Sequence, residues 1–551
     1  MKLNGSQIVM EVLLEHGVDT IFGYPGGAAL NVYDAIYDYQ DKIKHILTAH
    51  EQGASHAADG YARSTGKTGV VFSTSGPGAT NLVTGIATAY MDSIPMVAIT
   101  CNVGDNMIGR DSFQEISITG VTLPITKHNY FVNRIDQLAD ALRNAFRIAN
   151  EGRKGPVLVD ITKDVTAATI EFQRQEPLPK TPNPVLDMDQ IDQVAQVINE
   201  AKRPLIYFGG GVNSSDARDE LYEFIQKADI PATYTMMAAG IIDADDPKNL
   251  GLIGMHGTPA ANISVSEADL VIALGTRFSD RVALNPKRFA QKAGIIQIDI
   301  DASEINKNVL INYGVVGDIK EVLQALLPKI EKADHSEWVN LVTSYQRTIR
   351  VKRDLDLRPA DIIKEVCDQT DKETIYVTDV GQHQMWAAQY VRHKHMKSFI
   401  TSGGLGTMGF GYGAAIGSQF GNPDKRVIHF TGDGSFHMNM NEACTAVSYD
   451  LPIITIIFDN KVLGMVYQWQ TAFYDKHYSQ TILNRKTDYK KVAEGFGATG
   501  FVCDTMEEFK EAYKQALQCK GPVWIACNID KEERVLPMIP NGGTVENMIL
   551  D

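Results

Sequence analysis

The residues able to do chemistry sit in a few short runs. Gly432-Asp433-Gly434-Ser435 is followed, 27 positions after Asp433, by Asn460, which ends the apolar run IITIIFD (453–459). That length carries one crossover helix and returns the chain to an adjacent parallel strand. Asp433 and Asn460 are then expected side by side at the carboxyl ends of neighbouring strands, where open α/β sheets bind ligands. A carboxylate and an amide oxygen with vacancies beside them suit Mg2+, which keeps its other positions for water and phosphate. The free N–H groups of a helix opened by Gly434 and Ser435 suit phosphate oxygens. The alternative is a plain turn with Asp433 as helix N-cap. Glu51, in AHEQGA (49–54), stands where a strand hands over to a helix rich in small residues. Taken alone it is a favourable partner of the helix dipole. Gly404-Leu405-Gly406-Thr407-Met408-Gly409 matches GxGxxG, but no acidic residue follows at the end of a second strand, so a dinucleotide role there is disfavoured. In the middle of the chain, Gly209-Gly210-Gly211 and Gly275 end apolar runs, and Arg277 and Arg281 follow closely; arginines beside glycine-rich strand ends suit an adenine dinucleotide diphosphate.

These residues must be held by strands. Short runs apolar on both faces recur along the chain: VVFSTS (70–75), MVAIT (96–100), LIYFGG (205–210), LVIALG (270–275), IIQIDID (295–301), RVIHF (426–430) and IITIIFD. They suit buried parallel strands joined by crossover helices. Residues 172–190 hold four prolines and read as an extended linker. A second break lies in the charged stretch 329–358. The expected organisation is three doubly wound α/β domains over 1–171, 188–330 and 358–551. The first and third also share a unit. Ser75-Gly76 precedes Asp92-Ser93-Ile94-Pro95, and Thr431-Gly432 precedes Tyr449-Asp450-Leu451-Pro452; Gly76 to Pro95 is 19 positions and Gly432 to Pro452 is 20. One βαβ unit used twice is the simplest explanation.

Composition excludes several classes. The 551 residues carry 52 Lys+Arg against 67 Asp+Glu, a net charge of −15, which disfavours nucleic acid and anionic membranes as partners. No run of about 18 apolar residues is present, so no membrane span is expected. Glu11, Glu15 and His16 interrupt any signal-peptide core, and the six scattered cysteines form no CxxC pair. A cytoplasmic protein without disulfides or zinc is expected.

The Gly432–Ser435 run with Asn460 resembles the signature of thiamine diphosphate-dependent enzymes, GDG(S/A) followed by a pair of asparagines. Asp459 stands where the first asparagine is usual. The resemblance implies that Asp433, Asn460 and the Val462 position hold Mg2+. It implies that Gly406, Gly434, Ser435, Gly464 and Met465 cradle the cofactor, and that Met408 supports its bent conformation. It gives Glu51 the role of the glutamate against N1′ of the aminopyrimidine, which promotes loss of the thiazolium C2 proton. In that family the two ends of the cofactor are held by a head-to-tail pair of subunits, so a homodimer or homotetramer is implied.

Over nearly its whole length the chain resembles the catalytic subunits of acetolactate synthases. The matching stretches include GYPGGA (23–28), AHEQGASHAADGYARSTGK (49–67), MIGRDSFQE (107–115), GPVLVDITKD (155–164), GQHQMWAAQ (381–389) and LGMVYQWQTAFYDKHYS (463–479). The resemblance implies that Gln382 and His383 contact the diphosphate. It also implies that Gly27, Phe113, Gln114, Lys163, Met465 and Trp469 line the catalytic pocket. For the middle domain it implies FAD, held by Gly209, Gly210, Gly211, Thr235, Met255, His256, Gly275, Arg277, Arg281, Asp299 and Asp318. Ser279, Ala238-Ala239 and Ala283-Leu284 depart from the family pattern. The implied reaction decarboxylates pyruvate and joins the two-carbon unit to a second pyruvate or to 2-oxobutanoate, the first common step of branched-chain amino-acid synthesis. A pyruvate oxidase, a glyoxylate carboligase and a non-catalytic cofactor-binding sensor are the rival readings; Glu51 weighs against the last two. The chain ends shortly after MIPNGGTVENMI, so a separate small regulatory subunit is expected to supply any feedback by valine.

Overall fold

The computed structural model describes residues 1–348 and 356–550. Residues 349–355, within the second break expected from sequence, lie outside the described residues. The strands in chain order are β1 (Lys2–Asn4), β2 (Thr20–Gly23), β3 (Lys44–Leu47), β4 (Gly69–Ser73), β5 (Met96–Asn102), β6 (His128–Val132), β7 (Pro156–Thr162), β8 (Thr169–Glu171), β9 (Pro204–Phe208), β10 (Ala232–Tyr234), β11 (Asn249–Leu252), β12 (Leu270–Leu274), β13 (Gly294–Asp299), β14 (Tyr313–Val316), β15 (Ile375–Thr378), β16 (Phe399–Ile400), β17 (Val427–Gly432), β18 (Ile454–Asp459), β19 (Thr499–Cys503) and β20 (Val523–Asn528).

They form three six-stranded sheets, ordered β3-β2-β4-β5-β7-β6, β11-β10-β9-β12-β13-β14 and β16-β15-β17-β18-β20-β19. Every pairing within them is parallel, and β1 and β8 form a small antiparallel ribbon. Each apolar run singled out in the sequence lies on one of these strands. The central strands β5, β12 and β18 are buried from end to end, as a parallel sheet covered on both faces requires.

The first and third sheets share one order, 2-1-3-4-6-5 when strands are numbered within the sheet. The repeated unit extends to its turns. Ser93 and Asp450 both take left-handed backbone, at φ 61° and 49°. The next N–H, of Ile94 or Leu451, donates five residues back to Ala89 or Ala446 at 2.8 and 2.9 Å, closing each helix alike before the proline that leads into β5 or β18. The middle sheet has the order 3-2-1-4-5-6 of dinucleotide-binding folds, with its topological switch between β9 and β12.

The first and third sheets are joined mainly by two helices, Glu51–Thr65 and Phe410–Gly421. Their small residues let the backbones touch: a Cβ at Gly60 would overlap Ala414, and one at Gly417 would overlap Ala57. The proline-rich linker is free of helix and strand from 172 to 187. It is shorter than expected because Asp187 caps the helix Met188–Glu200, accepting from the N–H groups of Asp189 (3.0 Å) and Gln190 (3.3 Å). Among the described residues no helix is long and apolar enough to cross a membrane.

Candidate active site

At the carboxyl end of the third sheet, Asp433 begins the helix Asp433–Asn439, Asp459 ends the neighbouring β18 and Asn460 follows it. Gly432, not Asp433, is the N-cap, and Asp433 makes no capping bond, so the plain-turn alternative does not hold. Asp433, Asp459 and Asn460 are all buried. Burial, with the Asp459 charge beside it, pushes the Asp433 carboxyl up to about 7. Lys461 makes an ion pair with Oδ2 of Asp459, which offsets the charge that this departure adds. The other oxygen, Oδ1, is buried without a partner. Asn460 donates from Nδ2 to Gln382 Oε1 (3.1 Å), and its Oδ1 accepts from the Val462 N–H (3.2 Å). Two crowded carboxyl groups, an unpartnered oxygen and an amide oxygen fit a hard divalent cation such as Mg2+.

The glycine segment 404–409 closes over the start of this helix. Ser435 Oγ accepts from the Gly409 N–H (3.0 Å), and Gly406 has φ 71°. A Cβ on Gly434 would lie 3.9 Å from Cε of Met408. His383 is buried with Nε2 unpartnered, against Gly381 and Gly432 where any side chain would crowd its ring. Burial lowers its pKa to about 4, so the imidazole is neutral. Gln382 turns inward: its Nε2 donates to Gln468 Oε1 and to the Glu533 carbonyl, both 3.1 Å, and its side chain lies on Gly464.

At the carboxyl end of the first sheet, Glu51 is the first residue of its helix and is 9 % exposed. Asn81 donates to its Oε2 at 2.9 Å. Gly78 lies between it and Thr74, and Thr74 in turn packs on the Gly26-Gly27 turn. Ala28 N–H donates to Thr74 Oγ1 (3.3 Å), a Cβ at Gly78 would lie 3.2 Å from Glu51 Oε1, and Gly76 abuts Gln114. A Cβ at Gly27 would meet nothing within 4 Å, Phe113 is 88 % exposed, and Lys163 projects to solvent at the start of a short helix. Among the described residues no hydrogen bond or ion pair joins Glu51 to Asp433 or Asn460.

A cavity of about 1770 Å3 is lined by residues of all three domains and of the linker. Gly210, Gly211, Thr235, Met255, His256, Gly275, Arg277, Arg281, Asp299 and Asp318 line one part, and Gly406, Met408, Met465 and Trp469 another. Gly209 lies behind it, packed on the Gly275 carbonyl. Gly211 and Gly275 meet Cα to backbone at the β9/β12 switch, an approach that only glycine permits. Thr276 Oγ1 and His256 Nε2 are buried there without partners. Burial raises Asp299 to about 6, and Asp318 caps a helix through the Lys320 (2.9 Å) and Glu321 (3.3 Å) N–H groups. This close approach and these unpartnered groups fit an adenine dinucleotide.

Several site-supporting residues carry no local signal in the sequence. Asn81 meets Glu51 only through the fold. Arg63 is buried between Asp59 and Asp92 and donates to the Thr401 carbonyl (2.8 Å), while Asp92 accepts from the Gly403 (3.0 Å) and Gly404 (2.7 Å) N–H groups, tying the glycine segment to the first sheet. The 63/59 spacing of i, i+4 hints at that pair; Arg63–Asp92 and Asn81–Glu51 span 29 and 30 positions, and the bonds to Thr401, Gly403 and Gly404 span more than 300.

Three family models match in chain order. The thiamine pyrophosphate enzyme N-terminal TPP binding domain covers residues 3–121, the central domain 191–326 and the C-terminal TPP binding domain 379–527. The chain is 44% identical to the probable acetolactate synthase large subunit of Methanocaldococcus jannaschii, over 99% of this chain and 95% of the relative. It is 43% identical to the acetolactate synthase large subunit of Porphyra purpurea, with the same coverage. Identity to the acetolactate synthase isozyme 2 large subunit of Escherichia coli is 42%, over 99% of both chains. Similarity that runs end to end through both outer sheets and the middle one means that this chain belongs to the acetolactate synthase large-subunit family of thiamine pyrophosphate enzymes.

Proposed function

We propose that the chain is a catalytic subunit that decarboxylates pyruvate and transfers the two-carbon unit to a second pyruvate or to 2-oxobutanoate. The observation that carries this reading is the pair of like sheets, one presenting a buried glutamate and the other a buried carboxylate–amide set. Bound thiamine diphosphate supplies a nucleophilic carbon and an electron sink for departure of CO2. The chain's own groups do the rest. Asp433, Asn460 and the Val462 position hold Mg2+ against the diphosphate, with His383 and Ser435 nearby. Glu51, oriented by Asn81, exchanges a proton with N1′ of the pyrimidine. Met408 supports the cofactor, while Met465 and Trp469 border the acceptor.

The middle sheet holds FAD through the glycines and arginines at its switch point. Domain boundaries near 171/188 and 330/358 fit the extended linker. Head-to-tail pairing of two copies is supported by the exposed Phe113. A small regulatory subunit fits the relatives' designation as large subunits, and the cytoplasm fits the composition. The test is product identification from pyruvate, with and without 2-oxobutanoate and FAD. Acetolactate with CO2 is expected. Acetyl phosphate or acetaldehyde as main product overturns the reading in favour of an oxidase or a simple decarboxylase.

A further inference from the structure

We infer that Glu442 is a positioning residue for Glu51: its carboxylate, supplied by the third domain, grips the backbone immediately before Glu51 and fixes where that side chain is presented. The inference rests on the role proposed above for Glu51.

Glu442 is fully buried. Its Oε2 accepts from the Ala49 N–H (3.2 Å) and its Oε1 from the His50 N–H (3.1 Å), 393 and 392 positions away in sequence. Thr445 Oγ1 donates a third bond at 2.7 Å. Gly53, in the first turn of the Glu51 helix, lies flat against the same carboxyl, where any Cβ would overlap it. His50 in turn caps the helix, its Nδ1 accepting from the Gln52 N–H (3.1 Å). The residues on both sides of Glu51 are therefore fixed, and the Glu51 carboxyl is left to Asn81 and the space beyond.

No cation pairs with Glu442 among the described residues. Burial pushes its carboxyl up to about 7, against the pull of its three donors. Chain economy alone does not explain such a group, because an apolar side chain would fill the volume without desolvating a carboxylate. What a carboxylate alone provides is two acceptor oxygens in one plane, matched to two successive N–H groups. Glu442 also belongs to the segment that starts at Asp433: the helix Asp433–Asn439 runs directly into Met440–Glu442. One short segment thus carries the metal-binding carboxylate at its start and the anchor of the Glu51 helix at its end.

The experiment uses the full-length protein loaded with thiamine diphosphate and Mg2+. It reads exchange of the cofactor C2 proton with D2O, and separately the cofactor dissociation constant. Glu442→Gln replaces one acceptor by a donor facing an N–H group. Its exchange is expected to slow at least about tenfold, the scale of a small misplacement of a reacting group, with cofactor affinity changed by less than about threefold. In the Glu51→Gln background the same change is expected to have no further effect, since two groups acting as a unit are non-additive. Unchanged exchange in Glu442→Gln, or slowing that multiplies with that of Glu51→Gln, overturns the inference. Should Glu442→Gln fail to fold, Thr445→Val, which removes one donor, is expected to slow exchange by about threefold at retained affinity, and parent-like exchange in it is equally fatal. If Glu51→Gln itself leaves exchange untouched, the role of Glu51 falls first, which separates the two failures.

Discussion

The first and third sheets have the same strand order and matching left-handed turns at Ser93 and Asp450, yet they present opposite chemistry at the same edge. Above the first, a single glutamate is held by a neutral amide, Asn81, and by glycines that leave room around it. Above the third, Asp433 and Asp459 crowd each other beside Lys461 and Asn460. Buried carboxylates below the edges differ as well. Among the described residues Asp160 is bonded by Thr100 (2.6 Å) and Asn102 (2.7 Å) alone, and burial raises it to about 6. For Asp379 burial also opposes the charge, but His429 and the Gly411 N–H prevail and hold it at about 2. The lesson is that strand order and turn geometry survive duplication while the few residues on the loops set the charge. A proton-handling site and a cation site therefore need no difference in scaffold.

Substitutions can break this comparison. Glu51→Gln should lower acetolactate formation by roughly 10²–10⁴-fold with cofactor still retained on equilibrium dialysis; loss of the cofactor together with activity would erase the distinction between the edges. Arg63→Met strands Asp59 and Asp92 in the contact between the two halves. It should destabilise the protein by about 3–5 kcal/mol in denaturant unfolding, the usual result of removing one partner from a buried ion network. Asp433→Ala should act in the opposite sense to Glu51→Gln, weakening Mg2+ and cofactor binding by more than the ~10–100-fold typical of outer-shell changes, as titrated by protein fluorescence. Trp469→Leu should shift the ratio of 2-oxobutanoate to pyruvate products by roughly 1–3 kcal/mol, or about 10–200-fold, measured in a competition assay. The smallest effect sharpens the electrostatic contrast. A carboxylate whose folded pKa is raised stabilises the fold more as pH falls below that pKa, and contributes nothing above it. Asp160→Asn lacks this dependence. Relative to the parent, its stability should therefore improve by about 1 kcal/mol between pH 5 and pH 8; a constant difference would show that Asp160 does not titrate in that range.

Much of the arrangement was legible in the sequence. The apolar runs fell on strands because a strand buried on both faces needs apolar residues in succession. The repeat was visible in Asp92–Pro95 and Tyr449–Pro452, since a helix end closed by a left-handed residue and followed by proline is a local device. The 27-residue step from Asp433 to Asn460 did bring them to adjacent strands. Asp459 is a visible departure in the sequence, whereas its ion pair with Lys461 shows only in the fold. The linker is three residues shorter than its prolines suggest, because Asp187 caps the helix that follows.

Other features were beyond the sequence. Glu442 reaches the backbone at 49–50 across almost 400 positions, and Asp92 reaches Gly403 and Gly404 across more than 300. Gln382 bonds to Asn460 and Gln468, 78 and 86 positions along the chain. The sequence by itself determined which segments are strands, where each turn falls and which residue types stand at the strand ends, because backbone propensity and spacing act over a few residues. The tertiary structure alone decided the order of the strands, the partner of every buried carboxylate and the side of the sheets on which the cavity opens. Those depend on which faces pack together, and a buried charge takes whatever donor the packing brings within about 3 Å.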